Sequence, residues 1–542
     1  MEQQRNMILA FVLSMAILAG WQFLFPTPEA PEASQTATAG QAANQEGSSA
    51  SPGQDHAAPP SPPKGGSQAT TPTVAQASAP AGRQPARTLA TLENGVLRLT
   101  VDARGALIRA VALKYRKELD PSAPFVDILG RDGKQALYVN AGVVGHPLPE
   151  FRVVSRKRQG DETVLTLAAT LDDGRAWTRE IRLKQGAYVL DVRDQVAGKT
   201  ARMYRQVVSV NPNREKSRMY QYKGPIGLFD DKLKEVSFDD LDEQSPVLYS
   251  SRGGWVGIMN RYFIAAVIGD AKRKYQYYFK GATQGGDSTY QAGVLESPVR
   301  VGGGSAEFAS RVYIGPKSTP VMETLHVGLE RSVDYGWFAF IAKPMHDLLL
   351  WLHRFIPNYG WCIIVLVILI KALFFIPTKK SYESMAAMRK LQPEMQRLRE
   401  LYGDDRQRMG QEMMALYKKH KVNPLGGCLP IVIQIPVFFA LYKTLLVSIE
   451  LRHAPFAGWI HDLSAMDPYY ILPVLMGASM IVQQRLNPPP PDPMQAKIMK
   501  FLPVIFTFMF LFFPSGLVLY WLVNNVLSIA QQWYVMRQMK AI

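Results

Sequence analysis

Lys371 lies inside the apolar run Trp361–Pro377. An ionisable side chain at the centre of a bilayer costs at least about 2.5–3.5 kcal/mol, so by default it marks a site that binds or moves something. Its stem offers a plainer reading. Lys371 is six residues from the end of the run, roughly 9 Å along a helix, and a lysine can snorkel most of that way. Two other apolar runs carry amides: Gln434 within Pro430–Phe439, and Asn524-Asn525 within Leu517–Ile529. An amide among lipid tails needs a partner, so each either bonds a neighbouring helix or faces inward. Facing inward, Lys371, Gln434 and Asn524 would share one polar, partly hydrated recess. Its chemistry would be electrostatic, the attraction of an acidic group in a low-dielectric setting. A Ser/Lys hydrolase would need an activated hydroxyl beside Lys371. Ser381 and Ser384 lie beyond the run, Ser515 falls at an outer turn, and Ser528 has no evident oxyanion donors. Cys362 and Cys428 both sit in apolar runs and read as small core residues. No metal-spaced His/Asp/Glu cluster stands out, so neither metal nor cofactor is expected.

The 542 residues carry 61 Lys and Arg against 45 Asp and Glu, a net charge of +16. Such a balance suits nucleic acid, an anionic membrane surface or an acidic partner. Position decides between them. Eleven Lys or Arg fall between Lys379 and Lys421, beside the apolar runs, which points to anionic lipids or a ribosome and away from DNA. A mean hydropathy of −0.06 averages two unlike halves, polar and turn-rich to about residue 330 and apolar from Phe355 to Tyr534.

The elements that must position these residues form a multi-domain chain. Residues 1–25 read as an uncleaved membrane anchor, because Trp21-Gln22-Phe23-Leu24-Phe25 makes a poor signal-peptide cleavage site. Residues 26–87, rich in Pro, Ala, Gln, Ser and Gly, form a disordered tether. Over residues 88–330 short runs alternate with period two, as at Trp177, Arg179, Ile181 and Leu183, which predicts an all-β sandwich. Residues 331–356 form an amphipathic helix, lying either in the membrane interface or against the sandwich. Spans follow at 357–376, 424–449, 468–486, 498–513 and 514–535: an α-helical membrane domain with six spans in total and a core of five. Several are short, which implies tilt or local thinning of the bilayer. The positive-inside rule makes 377–423, 487–497 and the tail 536–542 cytoplasmic, and puts the sandwich and the loop 450–467 outside.

The segment 377–423 reads as a helical hairpin. Met385, Met388, Leu391 and Met395 step by threes and fours, and Met409, Met413, Leu416 and Tyr417 continue on the return helix. A methionine stripe either adapts to varied apolar partners or glues the two helices together.

Three stretches carry a resemblance: Asn423-Pro424-Leu425-Gly426-Gly427-Cys428 followed by Gln434-Ile435-Pro436-Val437-Phe438; Trp459-Ile460-His461-Asp462-Leu463 with Asp467-Pro468-Tyr469-Tyr470; and Pro514-Ser515-Gly516-Leu517-Val518-Leu519-Tyr520. From about Pro344 to Gln538 the chain resembles the YidC/Oxa/Alb insertases, and its earlier layout is that of the Gram-negative form. The resemblance implies a bacterial inner-membrane insertase and chaperone with both termini cytoplasmic and the sandwich periplasmic. It would act on nascent membrane proteins, alone or beside the Sec translocon and its accessory subunits, with no metal, cofactor or enzymatic step. It implies a groove whose positive residue, usually Arg, is here Lys371, so that charge rather than guanidinium geometry matters. It also implies a substrate slide at Phe438, Met476, Met509, Tyr520 and Trp521. A secondary transporter would show repeated halves and helices broken at matching places, and neither is visible. A membrane scaffold is the other rival.

Overall fold

The computed structural model describes residues 87–214, 222–302, 304–402, 405–420, 422, 429–487 and 493–539. The anchor, nearly all of the tether, the motif 423–428 with Cys428, the hairpin turn at Gly403-Asp404, most of the proline-rich connector and the last three residues lie outside them.

Among the described residues, two antiparallel sheets of nine and ten strands form the first domain. In Ala176–Lys184, every second side chain (Trp177, Arg179, Ile181, Leu183) is buried, the pattern of a strand with one face on a core. Arg179 is the exception in polarity. Its Nε donates to Asp194 Oδ1 at 2.6 Å, Trp177 Nε1 donates to the same oxygen at 2.7 Å, and Arg205 Nη2 donates to Asp194 Oδ2 at 2.7 Å. Arg205 Nε continues to Glu296 Oε1 at 3.2 Å. Arg179 and Asp194 belong to one sheet, Arg205 and Glu296 to the other, so four buried charges tie the layers together. Asp194→Ala would leave two guanidinium groups buried without their shared partner, a loss of about 3–5 kcal/mol. A markedly lower thermal midpoint of the purified protein checks this; an unchanged midpoint would show that water replaces the carboxylate.

Folding also brings together residues far apart in the chain. His146 lies 2.5 Å from Asp172 Oδ1 and 3.6 Å from Asp173 Oδ2. These three offer ligand atoms within 4.8 Å of one another, a grouping that their spacing in the sequence does not announce. Arg175 already answers the carboxylates: its Nε is 2.6 Å from Asp173 Oδ2 and its Nη2 is 2.6 Å from His146 Nε2.

A short helix, α1 (Phe238–Glu243), lies within the β domain, and α2 (Thr319–Glu323) follows its last strand. Then come α3 (Ala339–His353), α4 (Tyr359–Leu373) and α5 (Phe375–Lys390). Pro377 has no N–H for the helical ladder and its ring clashes with the carbonyl four residues back, that of Leu373, so the chain breaks at Phe374 and α4 and α5 meet at 68°. The remaining helices are α6 (Gln392–Tyr402), α7 (Arg406–Lys419), α8 (Leu429–Val447), α9 (Ile471–Leu486), α10 (Pro493–Phe510) and α11 (Ser515–Gln538). α11 is central, against α4, α5, α8 and α9. Gly477 lets α10 close on α9, since a Cβ there would collide with Thr507. Among the described residues no single helix is long and apolar enough to cross a membrane; the bent pair α4–α5 passes by length and composition.

A polar seam joins the β domain to the helices. Ser318 Oγ donates to Glu450 Oε1 at 2.9 Å, and His346, buried on α3, lies 3.6 Å from Glu450 Oε2. Lys443 Nζ pairs with Asp334 at 3.1 Å, Thr444 Oγ1 donates to the Ala342 carbonyl at 3.0 Å, and Arg452 Nη2 donates to the Arg116 carbonyl at 2.7 Å. Lys317 is buried beside this seam, and burial pushes its ammonium down from 10.5 to about 8. The unfolded chain therefore holds more protons than the folded one between about 8 and 10.5, and stability rises with pH across that window. Below it, both states are charged and the folded state bears the full desolvation cost. Lys317→Met is expected to raise the thermal midpoint at neutral pH and to flatten this rise; an unchanged midpoint and slope would place the lysine in solvent.

Candidate functional site

The last turn of α4 aims Lys371 at α11. Its Nζ donates to Ser528 Oγ at 2.7 Å, and Ser528 Oγ donates in turn to the Asn524 carbonyl at 2.7 Å. The Tyr382 hydroxyl, on the first half of α5, lies close to Ser528 as well. The bend at Phe374 makes this possible, because a straight helix would carry Tyr382 away from the ammonium. Lys371 is half-buried, and Ser528 is 2% exposed. No carboxylate among the described residues pairs with Lys371. Ser528 has already given its proton to a carbonyl and receives one from Lys371, so this pair is not set up as a nucleophile and its base.

Gln434, on α8, lies close to the Tyr520 hydroxyl. Tyr520, Asn524, Ser528 and Gln532 are all buried and spaced by four, forming one polar ridge that winds along α11. Lys371, Gln434 and Asn524 thus meet on that ridge, at successive turns. Nothing in the sequence pointed to Tyr382 here or to Ser528 as the partner of Lys371; for Ser528 the spacing of four along α11 was the signal available. Other amides serve as ties between helices. Asn525 Nδ2 donates to Ser479 Oγ at 3.0 Å, Gln532 Nε2 to Asn487 Oδ1 at 2.9 Å, and Gln484 to the Met499 carbonyl.

Beside the ridge is an aromatic cluster. Phe438 meets Trp521 edge to face at 4.6 Å and Tyr520 at 6.4 Å between ring centroids, and Phe510 lies 5.1 Å from Trp521. Three of the five expected slide residues therefore sit together. Met476 is fully buried in the helical core, whereas Met509 is 40% exposed.

The methionine stripe divides. Met385 packs with Tyr382 and Val535, joining α5 to α11. Met395 and Met413 pack with Leu391, Leu416 and Tyr417 and hold α6 to α7. Met388 and Met409 are half-buried, while Leu401 and Met414 are 72% and 53% exposed.

Residues 351–541 match the family described as 60Kd inner membrane protein, and residues 89–348 match the YidC periplasmic domain. The chain is 40% identical to the membrane protein insertase YidC of Marinobacter nauticus, with 88% of each chain covered. It is 38% identical to that of Aromatoleum aromaticum, with 99% of this chain and 98% of the relative covered. A solved structure of an active YidC insertase with its first transmembrane domain resolved is similar over 83% of this chain and 95% of its own. Its TM-score of 0.37 and identity of 16% make that likeness too loose to place side chains. Insertase is the name of a non-enzymatic activity. With relatives matched over nearly their whole length and both halves assigned, the chain belongs to the YidC family of membrane protein insertases.

Proposed function

We propose that this protein inserts nascent membrane proteins into the inner membrane through a positively charged recess open to the cytoplasm, lined by Lys371, Gln434 and Asn524. The observation that carries the reading is Lys371, an ammonium inside a helical bundle held by a neutral hydroxyl. A substrate's acidic segment would enter the recess, while its apolar segment would slide past Phe438, Tyr520, Trp521 and Met509. Burial of that segment at about 25 cal/mol per Å² supplies the driving force, and no covalent step is needed. Spanning is supported by outward-facing apolar side chains: Leu373, Val474, Phe501 and Phe508 are 57–75% exposed. At 16 residues α9 rises only about 24 Å, which fits a locally thinned bilayer. The anchor would leave both termini cytoplasmic and the β domain periplasmic. The protein would act as insertase and chaperone, alone or with the Sec translocon and its accessory subunits, near ribosomes and anionic lipids. Depleting the chromosomal copy and complementing with this chain tests the reading. Protection of the exported end of a small single-span substrate from added protease should vanish on depletion and return on complementation; protection that persists under depletion would reject it.

The hairpin's cations and the exposed Leu401 and Met414 suggest early capture of substrate or contact with the ribosome. Replacing residues 392–419 by a short Gly/Ser linker should leave a membrane-resident protein that inserts poorly. Full activity would reduce the hairpin to self-packing.

A further inference from the structure

We infer that Ser528 is a positioning residue for Lys371, a neutral acceptor that fixes the ammonium without cancelling its charge, and thereby tunes the recess toward acidic substrates. The inference rests on the proposed role of Lys371 in the recess. Two hydrogen bonds carry it. Lys371 Nζ donates to Ser528 Oγ at 2.7 Å, and Ser528 Oγ donates to the Asn524 carbonyl at 2.7 Å, with the Tyr382 hydroxyl close by. The hydroxyl is buried and held on α11, so its position does not depend on Lys371. A lysine in a low-dielectric bundle is ordinarily expected to have a carboxylate partner. α4, α8, α9 and α11 contribute no Asp or Glu along their lengths, and Glu383 on α5 faces Lys379 instead. The ammonium has three protons and Ser528 takes one, which leaves donor capacity for an incoming carboxylate. A resident acid at position 528 would fill that capacity and make the recess neutral.

The test compares two single-span substrates in depleted cells, one with acidic residues in its exported segment and one with those residues made neutral. Protease protection is the readout, in strains with matched protein levels. Ser528→Asp should lower insertion of the acidic substrate to the level of Lys371→Ala and leave the neutral substrate near normal. Ser528→Thr, which keeps the hydroxyl, should insert both. The exchanged pair Lys371→Ser with Ser528→Lys returns an ammonium to the same place from the opposite helix, and should recover the acidic substrate relative to Lys371→Ser alone. If Ser528→Asp and Ser528→Thr both lose the two substrates equally, Ser528 is only a packing residue and the inference fails. Wild-type handling of the acidic substrate by Ser528→Asp, in cells where Lys371→Ala is impaired, overturns the inference but leaves the recess intact. Normal insertion by Lys371→Ala removes the recess reading itself.

Discussion

Lys371→Glu is expected to abolish insertion of a small substrate with an acidic exported segment, Lys371→Ala to reduce it strongly, and Lys371→Arg to keep it. Two unit charges 4 Å apart attract by about 1 kcal/mol in water and about 4 kcal/mol at an effective dielectric constant of 20. Each 1.4 kcal/mol is a factor of ten in an equilibrium, so moving the encounter from water into the recess changes occupancy by orders of magnitude. Glutamate turns the same attraction into repulsion, and alanine removes it. Arginine preserves the charge, and its fork can still donate to the Ser528 hydroxyl. The snorkelling alternative would place the ammonium at the membrane surface. Its bond to Ser528, 2% exposed on the central helix, places it against the bundle instead. Protease protection of acidic and neutral forms of one substrate measures the effect. Equal insertion of both forms by Lys371→Ala would sink the electrostatic account.

Lys371 was legible because a charge in an apolar run is conspicuous by type. Ser528 was not. A serine in a helix usually bonds back to a carbonyl four residues earlier, as this one does to Asn524, and nothing about it signals a second partner. Its role depends on the bend at Phe374, which brings Lys371 and Tyr382 to one hydroxyl. Pro377 announced a weakness in the helix, but not its 68° angle. The same bend explains the divided methionine stripe. Met385 follows α5 back onto α11, and only Met395 and Met413 remain with the hairpin. In the β domain, period two placed Trp177, Ile181 and Leu183 inward. Arg179 held an inward position too, which was a signal of a buried ion pair. Its partner Asp194 comes from the neighbouring strand, and Arg205 and Glu296, which complete the network, come from the other sheet, so the pairing leaves no local pattern.

Two deletions are expected to differ sharply, and the seam between the domains says where. Removing residues 88–315 takes away both sheets together with the carbonyls of Arg116 and Lys117 that accept from Arg452. It leaves the segment that docks on the helices. Ser318 still donates to Glu450, His346 still faces it, Asp334 still pairs with Lys443, and Thr444 still bonds the Ala342 carbonyl. Those contacts hold α3 against the end of α8, and Ala342, Met345, Leu349 and Leu352 bury its inner face. Its other side presents Phe340 and Trp351, with Phe355 just beyond, 51–73% exposed and suited to the outer headgroup boundary. Because α3 leads within a few residues into α4, it would set the depth and tilt of the helix that carries Lys371. Insertion should therefore stay near normal without residues 88–315, and should be lost when residues 333–350 are removed as well. Both deletions keep the anchor, and both are compared in one strain with levels matched by immunoblot. If they are equally active, α3 is a passive linker. Loss of insertion in the first deletion would assign the β domain a direct part in insertion, with Arg452 and its two carbonyl partners as the first contact to break singly.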